Sequence, residues 1–339
     1  MNKRHIDMNE EKLKYRKKSK RFHNKLLKSP PITCLEDLIE VSHSIQLYKN
    51  VDSVMLWRIT PYLIELNNLI GMKSLKDSLF CQILYYIQGL HLRNRSDEYL
   101  HTMLYGSPGC GKTSVAKILG KIYQKLGILS PTGIFRIAYR DDFIAGYLGQ
   151  TATKTKKLLN SCLGGVLFID EVYALAPKNT DKDSFAKEAL DTLTAFLSEH
   201  KHDFCCIAAG YEEDIEKCFF AMNQGLKRRF PWIHRIEEYS SCELAKIFKK
   251  MVIACKWEIT IDLEEITNMI KENKIYFRNS GGDIETFLTK CKMEHAKRII
   301  GLDSIHKFVL TKKDLQNGIN LVKKHKKINV YKPPTGLYM

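Results

Sequence analysis

The sequence predicts an α/β fold: a five-stranded parallel sheet with helices on both faces, followed by a smaller helical domain. Three observations predict it. Between residues 102 and 236, short apolar runs alternate with longer segments of helical spacing, the rhythm of parallel strands joined by crossover helices. The first apolar run, Thr102 to Tyr105, breaks into a Gly/Pro-rich turn before helical spacing begins. Beyond about residue 240, apolar residues recur at helical spacing alone.

Taken in order, residues 1–29 are Lys/Arg-rich with few apolar side chains and read as a basic tail, mobile or weakly helical. Pro30-Pro31 ends it. Residues 30–68 form a helical lead-in, carried by Leu35, Leu38 and Ile39 and then by Val54, Leu56, Ile59, Leu63 and Leu66. Pro61 is expected to interrupt the second run, because it lacks an N–H and its ring crowds the preceding turn. The α/β core spans 69–238. It opens on the apolar turn Leu69-Ile70-Gly71-Met72, and Leu75, Leu79, Ile83 and Ile87 then place a helix over 73–92. Strand 102–105 leads to helix 112–126, strand 134–138 to helix 152–162, strand 165–170 to helix 184–199, and strand 204–209 to helix 212–220; a last strand falls at 232–236. Helices at 241–255, 262–272, 283–299 and 312–326 fill the smaller domain, 239–326, and 327–339 is a C-terminal tail.

Composition narrows the function. The 339 residues include 44% hydrophobic ones and carry a net charge of +16, but the charge is uneven. Residues 1–30 hold 11 Lys/Arg against 3 Asp/Glu, and residues 305–339 hold 8 against 1. The middle of the chain is therefore nearly neutral, which argues against a broad nucleic-acid groove on the core and leaves the tails as the place for phosphates or acidic partners. No apolar run approaches membrane-spanning length, so no membrane partner is expected. The basic, polar start is not the pattern of a secretory signal. None of the 10 cysteines forms a C-x-x-C pair or a zinc-like spacing with histidine. This usage points to a reducing, intracellular compartment.

The turn after the first strand reads Gly106-Ser107-Pro108-Gly109-Cys110-Gly111-Lys112-Thr113-Ser114. It fits the phosphate-loop pattern G-x-x-x-x-G-K-[ST] in its required strand–loop–helix context. Glycines let the backbone curl so that N–H groups converge on a phosphate chain, and the helix N-terminus adds partial positive charge. Lys112 is expected to reach the β- and γ-phosphates, and the Thr113 hydroxyl to hold Mg²⁺. Cys110 reads as a small residue filling the loop.

The strand Val166 to Ile169 ends in Asp170-Glu171. Asp170 is placed to complete the Mg²⁺ shell, and Glu171 to orient and deprotonate an attacking water. Gly225 to Pro231 sets Arg228 and Arg229 before the last strand. They read either as a basic turn or as an arginine finger donated to a neighbouring subunit. Tyr147-Leu148-Gly149, after the second strand, reads either as a loop around a buried aromatic or as an exposed gripping tip.

Four stretches together resemble the AAA+ ATPases, a class of phosphate-loop (P-loop) NTPases. They are Gly106 to Thr113, Gly146 to Ala152, Gly164 to Glu171, and Ala209-Gly210-Tyr211 with Gly225 to Pro231 downstream. The likeness covers about residues 69 to 300. It is most similar to the branch containing stage V sporulation protein K and the red-type rubisco activase CbbX, and the helical lead-in is similar to versions in large DNA viruses. The resemblance implies ATP as the nucleotide, bound at the junction of core and a helical lid, and assembly of identical chains into a ring, usually of six. It implies that Ile70 and Gly71 border the adenine, that Arg229 is the trans-acting finger with Arg228 its companion, and that Tyr147 lines a central pore gripping an extended polypeptide. Two positions depart from the wider superfamily. The place after the fourth strand often carries Asn, and Ala209-Gly210-Tyr211 offers no evident equivalent. The lid often carries a sensor arginine, where Ser280-Gly281-Gly282-Asp283-Ile284 stands instead. The expected function is an ATP-driven, ring-forming remodeller of proteins. The alternative is a nucleic-acid-linked ATPase, a loader or replication accessory, using the basic tails.

Overall fold

The structure, a computed structural model, describes residues 31–44, 48–93, 98–147, 149–176 and 184–326. The tails expected at 1–29 and 327–339, and Leu148 of the expected pore loop, lie outside the described residues.

Five strands form one parallel sheet in the order β2-β3-β4-β1-β5: β1 Thr102–Tyr105, β2 Phe135–Ala138, β3 Val166–Ile169, β4 Cys205–Gly210 and β5 Trp232–Arg235. The three inner strands β3, β4 and β1 are buried along their whole length, and the edge strands are half-exposed. Inner strands covered on both faces must be apolar on both, which is why they read as continuous apolar runs.

The side-chain alternation sorts the core into two halves. On one face Leu104, Phe168, Ile207 and Ala209 pack with Val115, Leu119 and Ile122 of α4 (Lys112–Lys125) and with Leu79 and Ile83 of α3 (Lys73–Ile87). The lead-in helices α1 (Leu35–His43) and α2 (Ser53–Asn67) join that same half through Leu38, Leu56, Ile59 and Leu63. On the other face Met103, Leu167, Ile169, Cys206 and Ala208 pack with Leu158 and Leu159 of α5 (Thr151–Asn160) and with Leu190, Leu193 and Leu197 of α6 (Ser184–Glu199).

The helical lid comprises α7 (Ser241–Ala254), α8 (Leu263–Glu272), α9 (Ser280–Arg298) and α10 (Lys312–His325). A capping box opens it: the Glu243 N–H donates to the Ser240 hydroxyl, and the Ser240 N–H donates to the Glu243 carboxylate. Asp262 caps α8 with a single bond, its carboxylate accepting from the Glu265 N–H.

Four expectations are corrected. Pro61 does not interrupt α2, which runs through it. Pro61 and Trp57, whose carbonyl Pro61 cannot serve, both lie on the exposed side, where water takes the unpaired carbonyl. The helix expected over 73–92 ends at Ile87. Gly89 turns left-handed (φ +69°), and Leu90–Leu92 form a separate 3-10 turn. The helix expected over 212–220 is broken by a π turn at Ile215–Phe219. Finally, the lid contains a two-residue parallel pair, β6 (Glu258–Ile259) with β7 (Val309–Leu310), too short to leave a periodic signal.

Candidate nucleotide site

β1 ends at Tyr105, and the chain turns through Gly106 to Gly111 into α4. The sheet pins the base of this turn: the Gly106 N–H donates to the Gly210 carbonyl at the end of β4 (3.1 Å), and the Ile236 N–H after β5 donates to the Tyr105 carbonyl (2.8 Å). Cys110 fills the inside. It is fully buried, and a Cβ placed on Gly106 would meet its Sγ at 2.7 Å. Burial pushes the Cys110 thiol up, so it packs as a thiol and is not poised as a nucleophile.

The lid closes on this loop from outside. The Gly281 N–H in the first turn of α9 donates to the Gly109 carbonyl (3.1 Å), and the Tyr239 hydroxyl donates to the Cys110 carbonyl (2.8 Å). These are the carbonyls that the N–H groups of Thr113 and Ser114 would take if the helix continued backwards. Among the described residues, the N–H groups of Gly111, Thr113 and Ser114 make no hydrogen bond, and that of Lys112 turns toward the Cys110 sulfur. Donors left open at the start of a 14-residue helix are the arrangement that favours an anion. Lys112 is only 8% exposed, and its ammonium donates to the Gly106 (3.1 Å) and Ser107 (2.9 Å) carbonyls of the same loop. Pro108 is half-buried on the loop's rim. The turn at Ile70-Gly71 lies beside the loop: the Glu243 carboxylate and the Tyr239 ring stand against Gly71, and the Met72 methyl packs against Gly111. Sequence reasoning missed Met72, Tyr239 and Glu243 as neighbours of the site, because their roles arise only when the lid folds back.

β3 delivers Asp170 and Glu171 to the same edge of the sheet. The Asp170 carboxylate accepts from the Glu171 N–H (3.0 Å), and its charge reaches the Cys110 thiol in the loop. Glu171 is exposed and left-handed (φ +50°, ψ +49°), a conformation costing a non-glycine residue roughly 1 kcal/mol. The half-buried Thr113 makes no hydrogen bond to Asp170. A buried lysine, free amides at a helix N-terminus and two carboxylates therefore converge at one sheet edge.

Residues 102–230 match the AAA family, "ATPase family associated with various cellular activities". A cfxQ-like protein of Acanthamoeba polyphaga mimivirus is 39% identical over 277 residues, covering 80% of this chain and 67% of that protein. The chain belongs to the AAA family. Stage V sporulation protein K of Bacillus subtilis (strain 168) is 36% identical over 208 residues, 59% of this chain and 62% of that protein. This AAA chain thus spans less than two thirds of the sporulation protein. The solved FIGL-1 AAA domain in complex with ADP shares the fold, with a TM-score of 0.55 at 15% identity over 75% of this chain and 83% of that one.

Two further stations of the AAA chain stand away from the loop. Tyr147 is 74% exposed, between the exposed Gly146 and Gly149. The buried aromatic of this loop is Phe143 instead. The base below the tip is fastened: the Lys154 ammonium donates to the Asp141 (2.6 Å) and Ile144 (2.8 Å) carbonyls, the Thr155 hydroxyl to the Phe143 carbonyl (3.1 Å), and the Ala145 N–H to the Thr151 hydroxyl (3.2 Å). Arg229 is half-buried and tied within its own chain, donating to the Ser198 hydroxyl (2.7 Å) and the Gly225 carbonyl (2.5 Å). Arg228 is exposed, and its side chain makes no hydrogen bond or ion pair among the described residues. No described helix is long and apolar enough to cross a membrane.

Proposed function

We propose that this AAA protein hydrolyses ATP and that identical chains assemble into a ring, of six subunits, which pulls polypeptide clients past Tyr147. In this reading the amides of Gly111 to Ser114 bind the phosphate chain, and the Lys112 ammonium leaves the Gly106 and Ser107 carbonyls for the β- and γ-phosphates. The FIGL-1 AAA domain, solved in complex with ADP, shares this fold and supports a nucleotide as the ligand. The Thr113 hydroxyl and the Asp170 carboxylate are hard oxygen donors of the kind Mg²⁺ takes, so the residues fit that ion. Mg²⁺ supplies neutralisation of phosphate charge when bound. Glu171 accepts a proton from the water that attacks the γ-phosphorus. Ile70 and Gly71 border the base, and Arg229 or Arg228 reaches the site of the adjacent subunit.

The observation that carries the remodelling reading is Tyr147, an exposed aromatic on a fastened base. Such a tip can contact an extended chain and move as a unit when the site changes state. The experiment is sedimentation of three proteins with and without ATP. Glu171→Gln should retain ATP and assemble, wild type should assemble and turn over, and Lys112→Ala should do neither. A Glu171→Gln protein that stays monomeric while saturated with ATP would remove the ring from the account.

A further inference from the structure

β4 ends at Gly210, the sheet residue that holds Gly106 of the phosphate loop, and the next residue is Tyr211. A second tyrosine, Tyr173, lies in the turn Val172–Leu175 directly after Glu171. Its ring covers Gly210: a Cβ there would stand 3.0 and 3.1 Å from two of the ring's carbons. Only glycine lets the ring lie so close to the end of β4. The Tyr173 and Tyr211 rings are 6.2 Å apart, tilted by 42°. Two phenols thus flank the junction between Glu171 and the phosphate loop.

Both phenols answer to the same charge. Burial first, and then the Glu171 carboxylate, push the Tyr173 phenol up to about 12. Burial and then Glu171 raise Tyr211 as well, with Asp214 and Cys110 of the phosphate loop also acting on it. Each therefore remains an O–H donor at neutral pH, facing a carboxylate that can only accept. Among the described residues no short hydrogen bond holds the Glu171 carboxylate, and the partner it has is the Tyr173 phenol, through a weak side-chain hydrogen bond. A general base must keep its oxygen aimed at the water, and on an exposed left-handed residue the bond from Tyr173 is the one that can fix the carboxylate's rotamer among the described residues.

We propose that Tyr173 and Tyr211 are positioning residues for hydrolysis: Tyr173 orients the Glu171 carboxylate, and Tyr211 links that carboxylate to the phosphate loop from the place after the fourth strand where Asn is missing. The inference rests on the reading of Glu171 as the base. It accounts for Ala209-Gly210-Tyr211: glycine makes room for one tyrosine, and the following residue supplies the other.

The test uses full-length Tyr173→Phe and Tyr211→Phe, which keep the rings and remove only the hydroxyls, beside wild type and Glu171→Gln. Steady-state kcat and KM, ATP affinity and thermal midpoint are measured for each. Tyr173→Phe is expected to lower kcat about tenfold or more, while KM, affinity and midpoint stay at wild-type values. In single turnover, adding Tyr173→Phe to Glu171→Gln should cause no further loss, because the group it orients is already gone. Wild-type kcat in both phenylalanine variants would overturn the proposal. So would a loss that adds in the Glu171→Gln background, or one that follows a lowered thermal midpoint. If Glu171→Gln itself turned over like wild type, the assignment of the base would fall first, and this inference with it.

Discussion

Replacing Gly109 by alanine should uncouple the lid from the phosphate loop. The new Cβ would lie 2.5 Å from the Asn279 carbonyl oxygen and 2.7 Å from the Gly282 nitrogen, both backbone atoms that no rotamer change can move. Gly109 also has φ +69°, which costs an alanine roughly 1 kcal/mol. Moving α9 away breaks the hydrogen bond from the Gly281 N–H to the Gly109 carbonyl, worth about 1 kcal/mol. Together these amount to about 2 kcal/mol, and a site formed jointly by lid and loop should bind ATP about 30-fold more weakly. The control is Gly282→Ala, where a Cβ meets nothing within 4 Å and the first turn of α9 gains a better helix former. Titration of a fluorescent ATP analogue reads both variants. Wild-type affinity in Gly109→Ala, or equal losses in the two variants, would refute the reasoning that the lid–loop contact shapes the nucleotide site.

Other outcomes follow from the same contacts. Arg229→Ala should lower the thermal midpoint, because it removes the bonds to Ser198 and Gly225, whereas Arg228→Ala should leave it unchanged. Mixing either variant with Glu171→Gln, which supplies an intact arginine but no base, should restore hydrolysis only for the arginine that acts in trans. In the lid, Asp314 is 1% exposed and accepts from Arg298 (2.8 and 3.0 Å) and from the Thr311 N–H (2.8 Å) and hydroxyl (2.9 Å). Burial alone would raise its carboxyl, but these donors outweigh it and hold it below the ordinary range. A depressed folded value means stability that is present above the unfolded value, about pH 4, and lost as pH falls through the folded one. Asp314→Asn should destabilise the lid by about 3 kcal/mol at pH 7, and denaturant melts should show that difference shrinking below about pH 4.

Much of the site was legible because its chemistry is local. The phosphate loop, the Asp170-Glu171 pair and α6 over 184–199 follow from glycine spacing and from periodicity within a few turns. What escaped depends on partners far apart in the chain. The order β2-β3-β4-β1-β5 is set by crossovers that no single stretch encodes. The bond between Gly281 and Gly109, and the cover of Tyr239 over Cys110, join segments more than a hundred residues apart. Pro61 was misread because the rule against proline in a helix concerns the unpaired carbonyl, and whether that carbonyl meets water depends on which face the tertiary structure leaves open. The two arginines look alike in sequence, and only the fold ties down Arg229 and leaves Arg228 in solvent.

In the proposed function, ATP turnover at Glu171 drives work on polypeptide at Tyr147. Its most direct test is steady-state ATP hydrolysis by wild type, Glu171→Gln and Tyr147→Ala, each alone, with a permanently unfolded polypeptide, and with single- or double-stranded DNA at physiological salt. The expected wild-type rate is absent in Glu171→Gln, is raised by the polypeptide only when Tyr147 is present, and is indifferent to DNA. A rate raised by DNA and untouched by polypeptide would contradict it and turn attention to the basic tails.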